Sequence, residues 1–343
     1  MHLDDFAFDL PEELIAQHPA EQREGSRLLV LERASGKLAH RDFAAIGQWF
    51  RSGDVLVVND TRVIPARLHG HKPSGGRIEV FLVRREVGEE EVWTCLCRSS
   101  KPPRTGGRVV FPDGGQAIFL EGRDPQLQRV RFEVEGEFST WLETHGEMPL
   151  PPYIRRGAEA PDRERYQTVF ARHAGALAAP TAGLHFSEGI LAGLRTRGVE
   201  IHSLTLHVGL GTFLPVRVED PRQHRMHREC YQVPASTAAA VNLARREGRR
   251  VIALGTTSTR TLEAAADPEG VVTAGSGETD IFIFPGYRFR VVSGLVTNFH
   301  LPRSTLLMLV AAFAGREFVL EAYCQAVAAR YRFFSYGDCM LIL

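Results

Sequence analysis

Lysine is almost absent from this chain: Lys37, Lys72 and Lys101 are the only three among 41 basic residues, and arginine supplies the rest. Arginine grips planar oxyanions through paired N–H donors, so a basic surface built from it suits phosphate; biased codon usage explains the same skew. Excess charge of either sign is also missing, because 41 acidic residues balance the basic ones. Net charge therefore announces no nucleic-acid or membrane partner, although a neutral total can hide a local basic surface. Long apolar runs are missing too. The longest, Leu306-Leu-Met-Leu-Val-Ala-Ala-Phe-Ala314, falls far short of the ~20 residues of a membrane span. It reads as a buried helix that opens behind Pro302 with Ser304 or Thr305 as cap and closes at Gly315.

Cysteine is sparse, with five residues in an odd set. The one close pair, Cys95 and Cys97, occupies alternate positions of a strand-like run, so neither a disulfide framework nor a zinc site is expected. The opening Met1-His-Leu-Asp-Asp lacks the positive-then-apolar order of a secretory signal, and a cytoplasmic location is expected. No internal repeat or low-complexity segment is visible.

What is present points to two domains, since 343 residues exceed the roughly 250–300 that one hydrophobic core serves. Residues 28–31, a Ser35-Gly36 turn and the stretch from Leu38 read as a hairpin. A short amphipathic helix near 43–50 and a buried strand at 55–58 follow. Beyond Pro65 the texture changes: Ile78, Val80 and Leu82, then Val109 and Phe111, then Val130, Phe132 and Val134 alternate between frequent glycines and prolines. Many short strands with close turns predict a small antiparallel barrel or sandwich. After Pro149-Leu-Pro-Pro152, helices at 187–197 and 236–247, ending at Gly198 and Gly248, alternate with strands at 199–208 and 250–254. The expected fold is α/β: a discontinuous layered-sheet catalytic domain of residues 1–65 and 152–343, with a small antiparallel β-barrel of residues 66–151 inserted in it.

Three polar segments stand out: Gly255-Thr-Thr-Ser-Thr-Arg260, Thr297-Asn-Phe-His-Leu-Pro302 and Phe334-Ser-Tyr-Gly-Asp338. They adjoin strand-like runs at 251–254, 291–296 and 331–334, where an α/β sheet builds its crevice. At the first, Gly255 lets main chain approach a ligand, and Thr256, Thr257, Ser258 and Arg260 lead into a helix whose positive end suits a carboxylate or phosphate. Ordinary capping by Thr257 or Ser258 is the plain alternative. In the second, Asn298 can hold a base edge. His300 there, like His185 in Thr181-Ala-Gly-Leu-His-Phe186, can cap, pack or carry protons. In the third, Ser335 and Asp338 flank Tyr336, and Tyr336 or Phe334 could stack on a base. Asn59-Asp-Thr-Arg62 places four functional types at one strand end, more than a turn requires. His207-Val-Gly-Leu-Gly-Thr212 lacks the third glycine of a dinucleotide fingerprint, because Leu214 stands there. Gly209, Gly211 and Thr212 could flatten main chain against a ribose or form a plain turn. His224-Arg-Met-His227 with Glu229 has no further ligand at suitable spacing, so no metal is expected.

Taken with Leu10-Pro-Glu-Glu-Leu-Ile-Ala-Gln-His-Pro19, Leu56-Val-Val-Asn-Asp-Thr-Arg-Val-Ile-Pro-Ala-Arg-Leu68 and Arg332-Phe-Phe-Ser-Tyr-Gly-Asp-Cys-Met340, these motifs in this order resemble one family over nearly the whole chain. It is the S-adenosylmethionine:tRNA ribosyltransferase-isomerase family of queuosine biosynthesis. Met226, His227 and Glu229 match its pattern; Leu214 and Cys230 stand where the family more often has other residues. The resemblance implies transfer and isomerisation of the ribosyl moiety of S-adenosylmethionine onto 7-aminomethyl-7-deazaguanine at the tRNA wobble position, giving epoxyqueuosine, adenine and methionine. S-adenosylmethionine is then a substrate, and no cofactor, metal or external electron source is required.

Such chemistry removes a proton beside a sulfonium, protonates departing adenine and deprotonates an attacking amine. Histidine, with an unperturbed pKa of about 6.5, suits this traffic. His185, His207 and His300 are therefore the expected proton carriers, with Asp60 and Asp338 as carboxylate partners. Expected substrate contacts are Asn59, Thr61, Arg62, Thr181, Gly183, Gly209, Gly211, Thr212, His227, Glu229, Gly255, Thr256, Thr257, Ser258, Arg260, Asn298, Ser335 and Tyr336. The expected partner is tRNA carrying that base, with no membrane and a monomeric chain. Arginine-rich stretches at 98–108, 155–165, 222–228 and 245–250 are candidates for its phosphates. A non-catalytic RNA-binding protein and an RNA-independent S-adenosylmethionine hydrolase are the rival readings.

Overall fold

The computed structural model describes the chain apart from residues 87, 89, 102, 123–126, 210 and 212–217 and the side chain of residue 113. Two compact units form. One comprises Met1–Arg62, Pro151–Arg156 and Glu164–Leu343; the other comprises Val63–Leu150 and Gly157–Arg163.

The larger unit is organised by three adjacent parallel strands, Val55–Asn59, Val251–Leu254 and Gly294–Asn298, each buried along its full length. Continuous apolar runs of this kind suit strands covered on both faces. On one side Glu200–Leu206 joins in parallel, followed by the antiparallel strands Glu229–Val233 and Gly275–Thr279. On the other, Cys339–Ile342 enters antiparallel to Gly294–Asn298 and parallel to Arg27–Glu32, and Lys37–Asp42 closes the nine-stranded sheet. Successive side chains take opposite faces. Leu29, Leu31, Val55, Val57 and Ala253 thus join one core, and Leu28, Val30, Leu56, Val58 and Ile252 the other.

Helix limits follow the capping chemistry. Ser187 accepts from the Ile190 amide to start Glu188–Thr196, and Ser304 accepts from Leu307 to start the apolar helix Thr305–Ala314. Gly315, at φ 92°, ends that helix and Arg316–Ala328 follows. The short helix expected near 43–50 forms as the 3-10 helix Phe43–Trp49, with Phe43 and Ile46 buried. One expectation needs correction. The strand expected at 291–296 begins only at Gly294, because the backbone amides of Arg290, Val291 and Val292 donate to the buried Glu263 carboxylate instead, at 2.9, 3.0 and 3.0 Å.

The smaller unit holds a closed antiparallel barrel of six strands, in the order Gln128–Glu133, Val92–Arg98, Arg77–Arg85, Arg67–His71, Arg108–Val110 and Gln116–Leu120. Closure leaves no free sheet edge. Leu68, Val80, Leu82, Val109, Phe119 and Val130 fill it. Phe138 and Trp141 on helix Phe138–His145 pack against Phe132 and Phe111, with ring centroids 5.0 and 5.5 Å apart.

Glu263 also accepts from the Tyr287 hydroxyl at 3.2 Å and lies on Gly255–Ala264, the helix that follows the central strand. Removing its carboxylate strands several buried donors. Glu263→Ala is expected to lower unfolding free energy by about 2–4 kcal/mol in urea titrations; a loss below about 0.5 kcal/mol would show that the amides find other partners.

Candidate active site

Parallel strands bring their carboxyl ends to one edge of a sheet, and an antiparallel neighbour brings its amino end there. Leu254, Asn298 and Cys339 obey this rule, with Asn298 opposite Cys339 in the register. At that edge of the larger unit lies a cavity of about 610 Å³, within the range of small-molecule sites. Of the expected residues it gathers Thr181, Gly211, His227, Glu229, Gly255, Thr256, Thr257, Arg260, Asn298, His300 and Ser335.

The Gly255 segment differs locally from expectation. The helix starts at Gly255 itself, whose φ of 87° lets the strand turn into a helix where a β-carbon would be strained. Its hydroxyls do not cap. Ser258 donates to Leu254 O at 2.8 Å, Thr259 to Gly255 O at 3.1 Å and Thr261 to Thr257 O at 3.0 Å, each bonding one turn back. Among the described residues no side chain caps the helix start, and Gly255, Thr256 and Thr257 face the cavity. One turn on, Arg260 and Glu229 form a buried ion pair, Nη1 to Oε2 at 2.6 Å. Glu229 Oε1 accepts from the Gly209 amide at 3.2 Å, and Arg260 Nε donates to Ile281 O at 3.3 Å. The remaining guanidinium nitrogen, Nη2, is buried with no hydrogen-bond partner among the described residues. A buried charged donor left open in a cavity wall calls for an acceptor.

His300 lines the cavity with its Nε2 2.9 Å from Thr297 Oγ1 and its backbone amide on Tyr323 OH at 3.0 Å. Burial pushes its pKa down to about 3, so the ring is neutral at pH 7. His185, by contrast, is a packed residue. Its Nδ1 lies 2.8 Å from Ser26 Oγ and its Nε2 3.2 Å from Asn298 Oδ1, and burial lowers its pKa to about 4. Asn298 in turn donates to Phe334 O at 2.8 Å and Ser335 O at 3.3 Å. His185 thus orients an amide of the cavity wall without lining it.

Asp338 lies outside the cavity, buried in a turn. It accepts from Arg27 N at 3.0 Å, Arg332 N at 2.8 Å and the Arg27 guanidinium at 3.3 Å. Asp60 and His207 form a separate polar group. Thr205 Oγ1 donates to Asp60 at 2.7 Å, His173 Nε2 lies 3.9 Å from the same carboxylate, and His207 Nδ1 is 2.8 Å from Thr61 Oγ1. Burial, then His173, lowers the His207 pKa. Val208 lines the cavity, while the preceding His207 turns to Thr61. Asn59 spends its amide on Leu206 O at 3.0 Å and Thr257 Oγ1 at 3.2 Å. Arg62 is exposed on the Thr61–Val63 strand. Gly183 sits where a β-carbon would fall 2.7 Å from Thr168 and 2.8 Å from Phe170, so packing fixes it. Tyr336 is buried edge-on to Tyr166, ring centroids 5.8 Å apart, away from the cavity. Thr212 and Leu214 lie outside the described residues.

His224, His227 and Glu229 disperse: His224 lies edge-on to Phe282, His227 beside Gly211, and Glu229 on Arg260. Among the described residues no group of three or more His, Cys, Asp or Glu is placed to hold a metal. Sequence reasoning missed Tyr153, whose hydroxyl is 2.5 Å from Ser335 Oγ and whose ring centroid is 4.0 Å from that of Phe334. It also missed Arg303. Phe334 at φ 73° and Arg303 at φ 58° both line the cavity in the left-handed region, a strain that clusters at functional sites. The prolines at 149, 151 and 152, which precede Tyr153 where the chain returns to the larger unit, were the available signal.

The fold and cavity define a class of polar, multi-group ligand sites at the strand ends of an α/β sheet. The chain belongs to the family described as queuosine biosynthesis protein, whose model matches residues 3–342. It is 65% identical over 343 residues, all of both chains, to the S-adenosylmethionine:tRNA ribosyltransferase-isomerase of Syntrophotalea carbinolica. It is 58% identical over 342 residues, again all of both, to the enzyme of that name from Geobacter sulfurreducens. It is similar in structure to the S-adenosylmethionine tRNA ribosyltransferase of Thermotoga maritima, at 38% identity and a TM-score of 0.57 over 99% of this chain and 100% of that one.

The two buried histidines make stability pH-dependent. Both native pKa values lie below the unfolded value of about 6.5, so the unfolded chain protonates first and stability present above that pH is lost as pH falls towards 4. Near pH 5 these residues should give the unfolded state about two extra protons. Urea titrations of wild type and of the His185→Gln/His300→Gln variant should differ by that amount in proton uptake; identical uptake would mean the rings are charged when folded. Asp338→Ala should cost at least about 2 kcal/mol in the same titration.

Proposed function

We propose that this chain is an S-adenosylmethionine:tRNA ribosyltransferase-isomerase acting in queuosine biosynthesis. It moves the ribosyl moiety of S-adenosylmethionine onto the aminomethyl group of 7-aminomethyl-7-deazaguanine at the wobble position of tRNA and isomerises it to epoxyqueuosine. Adenine and methionine leave, and S-adenosylmethionine is consumed as substrate. Full-length similarity to enzymes of that name supports the activity. The observation that carries the site is the cavity itself, where an uncapped helix start, an open buried guanidinium nitrogen and a neutral histidine converge.

Residues 1–65 and 152–343 serve as the catalytic domain. The methionine carboxylate of the substrate sits at the amides of Gly255–Thr257, where the helix dipole favours an anion. Arg260 Nη2 supplies a second donor for the substrate, and Glu229 holds that guanidinium in place. The Tyr153 and Phe334 rings offer an apolar wall to the purine. His300 receives the proton beside the sulfonium: its ring is neutral at working pH, and Thr297 fixes Nε2 so that Nδ1 stays available. His185 acts through Asn298 as a positioning residue. Asp338, His207 and Asp60 are assigned support of the surrounding chain on the strength of their partners.

Adenine release measured with and without the modified tRNA tests the reading. Release that requires tRNA is expected; release without it would favour a hydrolase, and none in either case would favour an RNA-binding protein. His300→Ala should cut tRNA-dependent release at least about a hundredfold, the low end for losing a general base. Near-wild-type turnover would remove His300 from the chemistry.

A further inference from the structure

Most of the arginine-rich stretches are occupied within the chain. Arg155 pairs with Glu12, Arg222 with Asp220, Arg249 with Glu200 and Glu247, and Arg250 with Asp54, while Arg245 donates to carbonyls at Gly270 and Glu269. The stretch on the barrel is different. The side chains of Arg98, Arg104 and Arg108 are exposed and make no ion pair or hydrogen bond among the described residues, and the same holds for Arg77.

Charge is segregated along the barrel strands. Residues 67–79 carry three cations and residues 98–108 four, including two of the three lysines of the chain, against a single acid, Glu79. That acid is already held by Arg67 at 3.1 Å. Glu86, Glu90 and Glu91 cluster at the opposite strand ends, paired with Arg129, Arg131 and Arg85 at 2.7, 3.1 and 2.6 Å. Register sets His71 beside Arg77, and His69 beside Glu79 beside Arg98, so two cross-strand rows share one outer face. Between them runs a groove of about 510 Å³ lined by His69, His71, Arg77, Glu79 and Arg98.

We propose that this end of the barrel is an RNA-docking face that takes the phosphate backbone of the tRNA substrate. The inference rests on the tRNA reading above. Charge complementarity carries it, because exposed arginines without internal partners are free to release counterions from phosphates, and a chain of zero net charge has concentrated them in one place. Backbone contacts of this kind set register and affinity without reading sequence.

The test measures tRNA affinity by the full-length protein across a salt series. Arg77→Ala/Arg98→Ala/Arg108→Ala should flatten the log–log salt slope by about two to three and weaken binding at least about tenfold at moderate salt. Arg98→Ala alone should flatten it by about one, which keeps the inference falsifiable if the triple variant does not fold. The corresponding lysine triple should restore the slope; failure to do so would mean packing rather than charge and would overturn the inference. An unchanged slope in the alanine variants, with tRNA-dependent adenine release by wild type intact, would overturn this face alone and leave it to an acidic protein partner. Wild-type protein that neither binds tRNA nor releases adenine would overturn the functional reading and this inference together.

Discussion

The Asp338 carboxylate joins the first strand of the sheet to the last. It takes the amide of Arg27, 311 positions away, and that of Arg332, so Cys339–Ile342 can enter between Arg27–Glu32 and Gly294–Asn298. The cavity depends on this closure. Once Cys339 lies opposite Asn298, the turn before it carries Phe334 and Ser335 over the strand ends, and the Asn298 amide pins both carbonyls. A carboxylate buried this way is weak evidence of net stabilisation but strong evidence of a required geometry, since removing either side strands a charge.

The two units differ in how they use charge. Inside the cavity wall, charge is scarce and committed: Arg260 leans on Glu229, and burial keeps the His300 ring neutral. Low polarity around a few fixed donors makes each donor count for more than it would in water. On the barrel, charge is plentiful and solvated, so any single arginine counts for little and only the set matters. The division suits the two proposed substrates, a small cation held in one orientation and a long polyanion held loosely.

Much of the fold was legible because its signals are local. Ser304 and Gly315, or Ser187 and Gly198, mark helix limits within one turn of themselves, and alternation at Ile78, Val80 and Leu82 marks a barrel strand without reference to its partner. The convergence of the Gly255, Thr297 and Phe334 segments was legible for a related reason: strand ends in an α/β sheet gather by topology. Individual roles were not, because they turn on partners far along the chain. His185 is spoken for by Ser26, 159 positions earlier. Tyr336 and Phe334 differ by two residues, yet the turn between them sends one into packing against Tyr166 and the other into the cavity. Arginine stretches looked alike until their acidic partners were in place.

Phe334 and Arg303 hold β-carbons in a region that glycine enters freely, at an expense of about 1–3 kcal/mol each. The wall of the cavity therefore carries two of the three such positions among the described residues, the third being Arg330 outside it. A screen that rewards heat tolerance alone should drift toward glycine at those two positions and lose the Phe334 ring that faces Tyr153. Selection for a tougher molecule and selection for a working one would pull the same two codons in opposite directions.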